Sequence, residues 1–272
     1  MLGKVLLIAI NTYQECRSLA GSQYDAEDIY KTLVRTLGHD PRRIRYLSNE
    51  LATRSEIIDA LHWISDTDNA FCFYAGHGTL TLDNKPALLT YDFKDHWTNP
   101  LSQAEITYYI SKIKKGLFIY DCCHSGSLCS GGGIPSLLRG NAAEEEVVER
   151  FVPNPCAGED RGIDFSHIMG LTEKTMSDNL HISSGDFIYL SACGNEETSK
   201  EIKVDGVPRG IFTHSFCANI RRNPRAGLKE LWEQTAKDVD RIVRSRGVSP
   251  QHPQLWTPQQ YLALPLFAGN GV

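Results

Sequence analysis

Short apolar runs alternate along this chain with longer stretches whose apolar residues recur every three or four positions. Residues 5–10 are apolar without a break and run into Asn11-Thr12-Tyr13. No small-residue cleavage site follows, so the run predicts a first core strand rather than a leader. Ala26, Ile29, Tyr30, Leu33, Val34 and Leu37 share one helix face, and Gly38 stops that helix. Residues 43–47 predict a short strand. Thr53-Arg54-Ser55-Glu56 is a capping box that opens a helix to about residue 64. Residues 70–75 form an apolar, aromatic-rich strand that ends at Gly76-His77-Gly78. Residues 87–90 suggest another strand, and Ser102-Gln103-Ala104-Glu105 is a second capping box, opening a helix to about 113. Residues 117–120 form a strand that ends at Asp121-Cys122-Cys123-His124.

Residues 128–185 break this rhythm with Gly131-Gly132-Gly133, the acidic run Glu144-Glu145-Glu146, Pro153 and Pro155, and strong strand signals are absent. A connection of that length is functional or mobile. Beyond it, residues 187–192 predict a strand and 211–220 a helix. Leu228, Leu231, Trp232, Thr235, Val239 and Ile242 mark a long amphipathic helix, and residues 261–267 a last strand. Strands alternating with helices predict an α/β fold with a mostly parallel central sheet covered on both faces. Ligands of such sheets bind beyond the carboxyl ends of the strands. His77 and Cys123 both fall at such ends.

Composition changes this picture little. The formal net charge of −5 and the lack of a dense Lys/Arg block argue against nucleic acid as a partner. Nothing approaches a membrane span. Eight cysteines, scattered and without an export signal or a CxxC pair, read as reduced thiols in a cytoplasmic protein without structural zinc.

The chemistry lies in His77 and Cys123, 46 residues apart. A thiolate is the nucleophile, so a catalytic cysteine needs a nearby base or cation. Glycines beside His77 let the backbone turn, and the amides of Gly78 and Cys123 together could hold an oxyanion. Residues two apart share a strand face, so Asp121 points with Cys123 while Cys122 points into the layer behind. Two adjacent cysteines suit one tetrahedral metal centre poorly. Asp25 taken alone reads as part of a helix cap, because Ser22-Gln23-Tyr24-Asp25 fits a capping box.

Tyr74-Ala75-Gly76-His77-Gly78 and Asp121-Cys122-Cys123-His124-Ser125-Gly126 resemble the two signatures of the metacaspase and orthocaspase family. Residues 19–26, 191–201 and 209–213 are similar to further segments of that family in the same order. The resemblance implies a caspase-haemoglobinase fold, with a large-subunit-like region at 1–127, an inter-subunit linker at 128–185 and a small-subunit-like region at 186–272. It implies a cysteine endopeptidase with His77 as base, Cys123 as nucleophile and protein or peptide substrates bearing Arg or Lys before the cut (P1). An S1 pocket for such a residue needs carboxylates at the sheet edge. Asp121 shares a face with Cys123, and Asp25 follows the first strand to the same edge. Two carboxylates side by side repel, and a guanidinium fork relieves both.

Several positions depart from the family. Residues 79–85 hold a single carboxylate, Asp83, and residues 127–133 hold none, where many metacaspases bind calcium. No cofactor is therefore expected. The chain starts at its first strand, so recruitment through a prodomain is not expected within it. The linker offers Arg139, Arg150, Arg161 and Lys174 as processing sites, and Arg139 is the one with apolar residues before it and glycine after. Self-cleavage and cutting by a separate activating protease or regulator both remain open. So do two other activities on the same scaffold, a transpeptidase or ligase and a silent interaction module.

Overall fold

The computed structural model describes residues 2–80, 86–94, 100–110, 112–122, 147–153, 186–194 and 197–266. The unbroken apolar runs form the middle of a six-stranded sheet. Its six strands are β1 (Val5–Ala9), β2 (Ile44–Ser48), β3 (Asn69–Ala75), β7 (Lys115–Asp121), β9 (Asp186–Ser191) and β12 (Gln254–Trp256). They lie in the order β12-β9-β7-β3-β1-β2. All neighbours are parallel except β12, which runs antiparallel to β9 at the edge.

Alternation along the strands sorts the core into two layers. Cys72, Tyr74, Phe118, Tyr120 and Cys122 enter one, under α2 (Arg54–Ser65) and α3 (Gln103–Ile110). Phe71, Phe73, Ala75, Leu117 and Ile119 enter the other, under α1 (Ser22–Lys31), α4 (Ile211–Arg222) and α5 (Leu228–Arg246). Both sheet faces are thus buried, which explains why these strands read as continuous apolar runs. The Ser102 capping box forms in both directions, with Glu105 N–H on Ser102 Oγ and Ser102 N–H on Glu105 Oε2. The Thr53 hydroxyl caps α2 by accepting from Glu56 N–H.

Four expectations are corrected. Residues 261–267 do not make the last strand among the described residues. That strand is β12, and Gln259–Tyr261 is a single 3₁₀ turn. The proposed cap at Ser22 is absent, since Gly21 occupies the cap position without a side-chain bond and the Ser22 hydroxyl lies buried with no partner among the described residues. The linker region does contain a strand, β8 (Val147–Glu149). It pairs antiparallel with β10 (Lys200–Val204), which itself pairs with β11 (Val207–Gly210). Two valines are too short a run to announce a strand, and β8 exists because β10 offers it an edge. The β10–β11 hairpin also went unread, although Asp205-Gly206 at its tip, with φ of 51° and 79°, is the two-residue signal for such a turn. A third small sheet joins β4 (Gly78–Leu80), β5 (Pro86–Leu88) and β6 (Leu101–Ser102).

Candidate active site

The register of β3 on β7 sets Ala75 beside Asp121, so the chain leaves both strands at neighbouring points. His77 follows two residues after Ala75. Its backbone is clamped by two tyrosines: Tyr13 Oη accepts from His77 N–H at 2.7 Å and Tyr74 Oη donates to His77 C=O at 2.8 Å. A Cβ on Gly76 would lie 2.6 Å from Tyr74 Oη and 2.7 Å from Tyr13 Oη. The glycine is there to admit that clamp; its φ is not in the left-handed region.

The ring is almost wholly buried, at 1% exposure. Nε2 lies 2.8 Å from the Arg17 carbonyl. A carbonyl only accepts, so Nε2 carries the hydrogen and the neutral ring keeps its lone pair on Nδ1. Nδ1 is buried and hydrogen-bonds to none of the described residues. Burial pushes the imidazole down to about 4. The Arg17 and Arg150 carbonyls partly oppose this, the latter near the ring but outside hydrogen-bond geometry at Nδ1. The ring is therefore neutral at physiological pH. In an uncut Cys123→Ala chain, the His77 ring is expected to titrate near pH 4 by NMR, and a midpoint at the ordinary histidine value would contradict the burial described here.

Cys123 lies outside the described residues, as do Arg139, Arg161 and Lys174. Cys122 is described: it is fully buried in the layer under α2 and α3, and burial holds its thiol well above the ordinary range. Alternation therefore sends Cys122 away from the face that Asp121 takes.

Asp25 and Asp121 do meet, though 96 residues apart, and both are fully buried. Between them lies an arginine of the same chain. Arg150 is 0% exposed. One of its terminal nitrogens, Nη2, bonds Asp25 Oδ2 and also Glu201 Oε1, the latter at 3.0 Å. The other, Nη1, reaches Asp121 Oδ1 and the Asp121 carbonyl, both at 3.0 Å. Nε donates to Glu201 Oε1 at 3.2 Å. A buried guanidinium is tolerated because its donors meet carboxylates in this way.

Each carboxylate is fixed from behind. Asp121 accepts from Ser199 Oγ and Thr213 Oγ1, both at 2.5 Å. Glu201 Oε2 accepts the amides of Ala20 and Gly21, both at 3.0 Å. Asp25 accepts the Gly210 amide. Burial raises Asp25 to about 8 even though Arg150 pulls it down, and the nearby Asp121 and Glu201 raise it further. A Cβ on Gly210 would come within 2.5 Å of Asp121 Oδ2 and 2.8 Å of Asp25 Oδ2, so the position requires glycine.

The third carboxylate, Glu201, and the donors Ser199 and Thr213 were not anticipated. Glu201 lies in β10 and Ser199 directly before it, and the Asp205-Gly206 turn is the sequence signal for that hairpin. Asp25 is not a helix cap; its side chain is spent on Arg150 and the Gly210 amide.

The backbone around Arg150 is extended. Its N–H donates to Ser199 C=O at 3.0 Å, and its C=O accepts from Gly78 N–H at 3.1 Å. Val152 N–H then donates to Gly78 C=O at 3.1 Å, and Thr79 Oγ1 donates to Val152 C=O at 2.8 Å. Residues 147–153 thus cross the sheet edge between β10 and β4.

A mostly parallel six-stranded sheet with His77 just past β3 and Cys122 just past β7 is the frame within which the similarities to known proteins fall. The caspase domain family matches residues 2–261, and the chain belongs to that family. It is similar to Metacaspase-1 of Cryptococcus neoformans var. neoformans serotype D, at 25% identity over 93% of this chain and 61% of that protein. It is also similar to Metacaspase-1A of Aspergillus oryzae, at 23% identity over 92% of this chain and 68% of that protein. The chain thus spans roughly three-fifths to two-thirds of these relatives' length. The fold is shared with a protein of Geobacter sulfurreducens, with a TM-score of 0.64 at 18% identity over 98% of both chains. It is shared also with Caspase-1 from Spodoptera frugiperda, with a TM-score of 0.55 at 14% identity over 94% of this chain and 86% of that one. No described helix is long and apolar enough to cross a membrane.

Proposed function

We propose that this chain is a cysteine endopeptidase that cuts after arginine, and that its own Arg150–Phe151 bond is its first substrate. One observation carries the reading. Arg150 satisfies three buried carboxylates with its side chain while its carbonyl accepts the Gly78 amide. A buried strand carbonyl needs a partner in any case, here through a short parallel bridge of Gly78 with Phe151, and the partner is the amide placed to hold an oxyanion. A scissile residue needs both, the side chain for selection and the carbonyl for polarisation.

In this reading the Cys123 thiol gives its proton to His77 Nδ1, and the thiolate attacks the Arg150 carbonyl carbon. The developing oxyanion is held by Gly78 N–H and the Cys123 amide. Collapse breaks the Arg150–Phe151 bond, and the leaving Phe151 amine takes the proton from His77. Water then hydrolyses the thioester, leaving Arg150 as a new carboxyl terminus. The same steps apply to a separate protein or peptide with arginine at P1. Lysine should serve less well, since a point charge meets fewer of the acceptors that Nη1, Nη2 and Nε meet here. Among the four basic linker residues, Arg150 rather than Arg139 is the processing site in this reading.

The test is a set of quenched peptides differing only in Arg, Lys or Asp at P1, assayed in chelator and in millimolar calcium. Arg is expected to exceed Lys, and Asp to be refused by like charge. Rates should not depend on calcium, which wants about six to eight oxygen ligands where residues 79–85 supply one carboxylate. Preference for Asp would overturn the pocket assignment, and a large gain with calcium would overturn the metal-free reading.

A further inference from the structure

Resting on the peptidase reading, we infer that the groove selects substrates at two positions beyond P1, requiring an apolar residue two before it (P3) and another two after it (P2′). The segment 147–153 supplies the evidence, because it lies extended between β10 and β4 with its backbone bonded to both, as a bound peptide would. Val148, Arg150 and Val152 are spaced two apart, as residues on one side of an extended chain are. Their exposures are 3%, 0% and 7%. Val148 forms a small apolar cluster with Leu19, away from the main core layers. Leu19 is itself held by its amide on the Asn11 carbonyl. Val152 joins the core layer that contains Tyr74, Leu88 and Leu89.

The other side of the segment is mixed, with Phe151 buried at 9% exposure and Val147 half-buried. Glu149 is only half-buried, and its carboxylate accepts a bond from Thr198 Oγ1 at 2.9 Å. A polar P2 is therefore compatible with the groove.

The backbone contacts explain why the side chains can be read so far from the cut. On the leading side, β8 is registered on β10 with Val148 opposite Glu201 and Glu149 opposite Lys200. On the trailing side, Gly78 and Thr79 take both polar groups of Val152. A peptide anchored on both flanks cannot slip, so alternate side chains must enter the same sites each time. Leu19 and Thr79 are then specificity-determining residues that act away from the reacting atoms, Leu19 as the wall of the P3 site and Thr79 as the clamp that seats P2′.

The experiment uses the full chain, incubated until self-processing stops, and quenched heptapeptides built on Val-Val-Glu-Arg-Phe-Val-Pro. Aspartate in place of the P3 or the P2′ valine is expected to lower kcat/KM by about 10–100-fold each, the scale of losing one buried aliphatic side chain. Glutamine in place of the P2 glutamate is expected to change it by less than about 3-fold, the scale of one exposed polar contact. The Leu19→Ala enzyme should lose its preference for valine over aspartate at P3 while keeping its preference at P2′, whereas general damage to the fold would lower all peptides alike. Arg peptides cut at equal rates whatever stands at P3 and P2′ would overturn this inference and leave the peptidase reading in place. No cutting of any Arg peptide would overturn the peptidase reading itself, and this inference with it.

Discussion

Cys123→Ala is expected to abolish both cleavage at Arg150 and turnover of Arg-ending peptides, while Cys122→Ala keeps both. Removing the nucleophile of an acyl-transfer site costs on the order of 10⁶ in rate, which is background in a practical assay. Cys122 cannot substitute, because it sits in the opposite core layer and burial keeps its sulfur protonated. Its truncation leaves only a small void and a stability loss of about 1 kcal/mol. Separation by denaturing gel, with sequencing of the new amino terminus, reads the first outcome; a fluorogenic peptide reads the second. Cleavage persisting in Cys123→Ala, or lost in Cys122→Ala, would mean that the alternation along β7 does not continue past Asp121.

Arg150→Ala is expected to stop self-cleavage after residue 150 and to destabilise the uncut chain by about 3–5 kcal/mol, the scale of stripping one partner from a buried ion pair. The loss should depend on pH, and its sign follows from Asp25. That carboxyl stands at about 8 in the folded chain, held from rising further by Arg150. Without the guanidinium it rises again, so the folded variant retains protons that the unfolded chain, with ordinary carboxylates near about 4, gives up. The native state then binds more protons than the unfolded state across that window, and stability falls as pH rises through it. Denaturant melts of Cys123→Ala with and without Arg150→Ala, at about pH 5.5 and 8.5, measure this. The gap should widen at the higher pH. An equal gap at both would mean that Arg150 does not hold the Asp25 carboxyl down as described.

The middle of the central sheet was legible because its strands are buried on both faces, and residues 5–10, 70–75 and 117–120 therefore read as unbroken apolar runs. His77 was legible for a related reason, standing just past one of those runs in a turn whose glycine has no room for a side chain. The pocket was only half legible. Asp121 follows from alternation along a single strand, and alternation needs no knowledge of distant residues. Glu201 depends on β10, a strand with Lys at two of its five positions and no apolar run, which exists through pairing with β8 and β11. Arg150 could be named as a basic linker residue. Nothing local distinguishes it from Arg139, because what selects it is a pocket assembled from residues 29 to 125 positions away. The capping motif at Ser22 misled because a polar side chain in the first helical turn satisfies the same pattern whether it turns back to the helix or forward into a pocket.

The order of strands in the central sheet has one more consequence. β1, β2, β3 and β7 precede residue 150, while β9 and β12 follow it, so the two groups meet along a single seam between β7 and β9. That seam is a ladder from Lys115 opposite Asp186 to Tyr120 opposite Ser191, with a core layer closed over it by Leu117, Ile119 and Leu190. Severing the bond after Arg150 therefore removes connectivity without opening the sheet. The processed protein becomes a heterodimer of its own halves, and unfolding, unimolecular before the cut, becomes a dissociation whose midpoint rises with protein concentration.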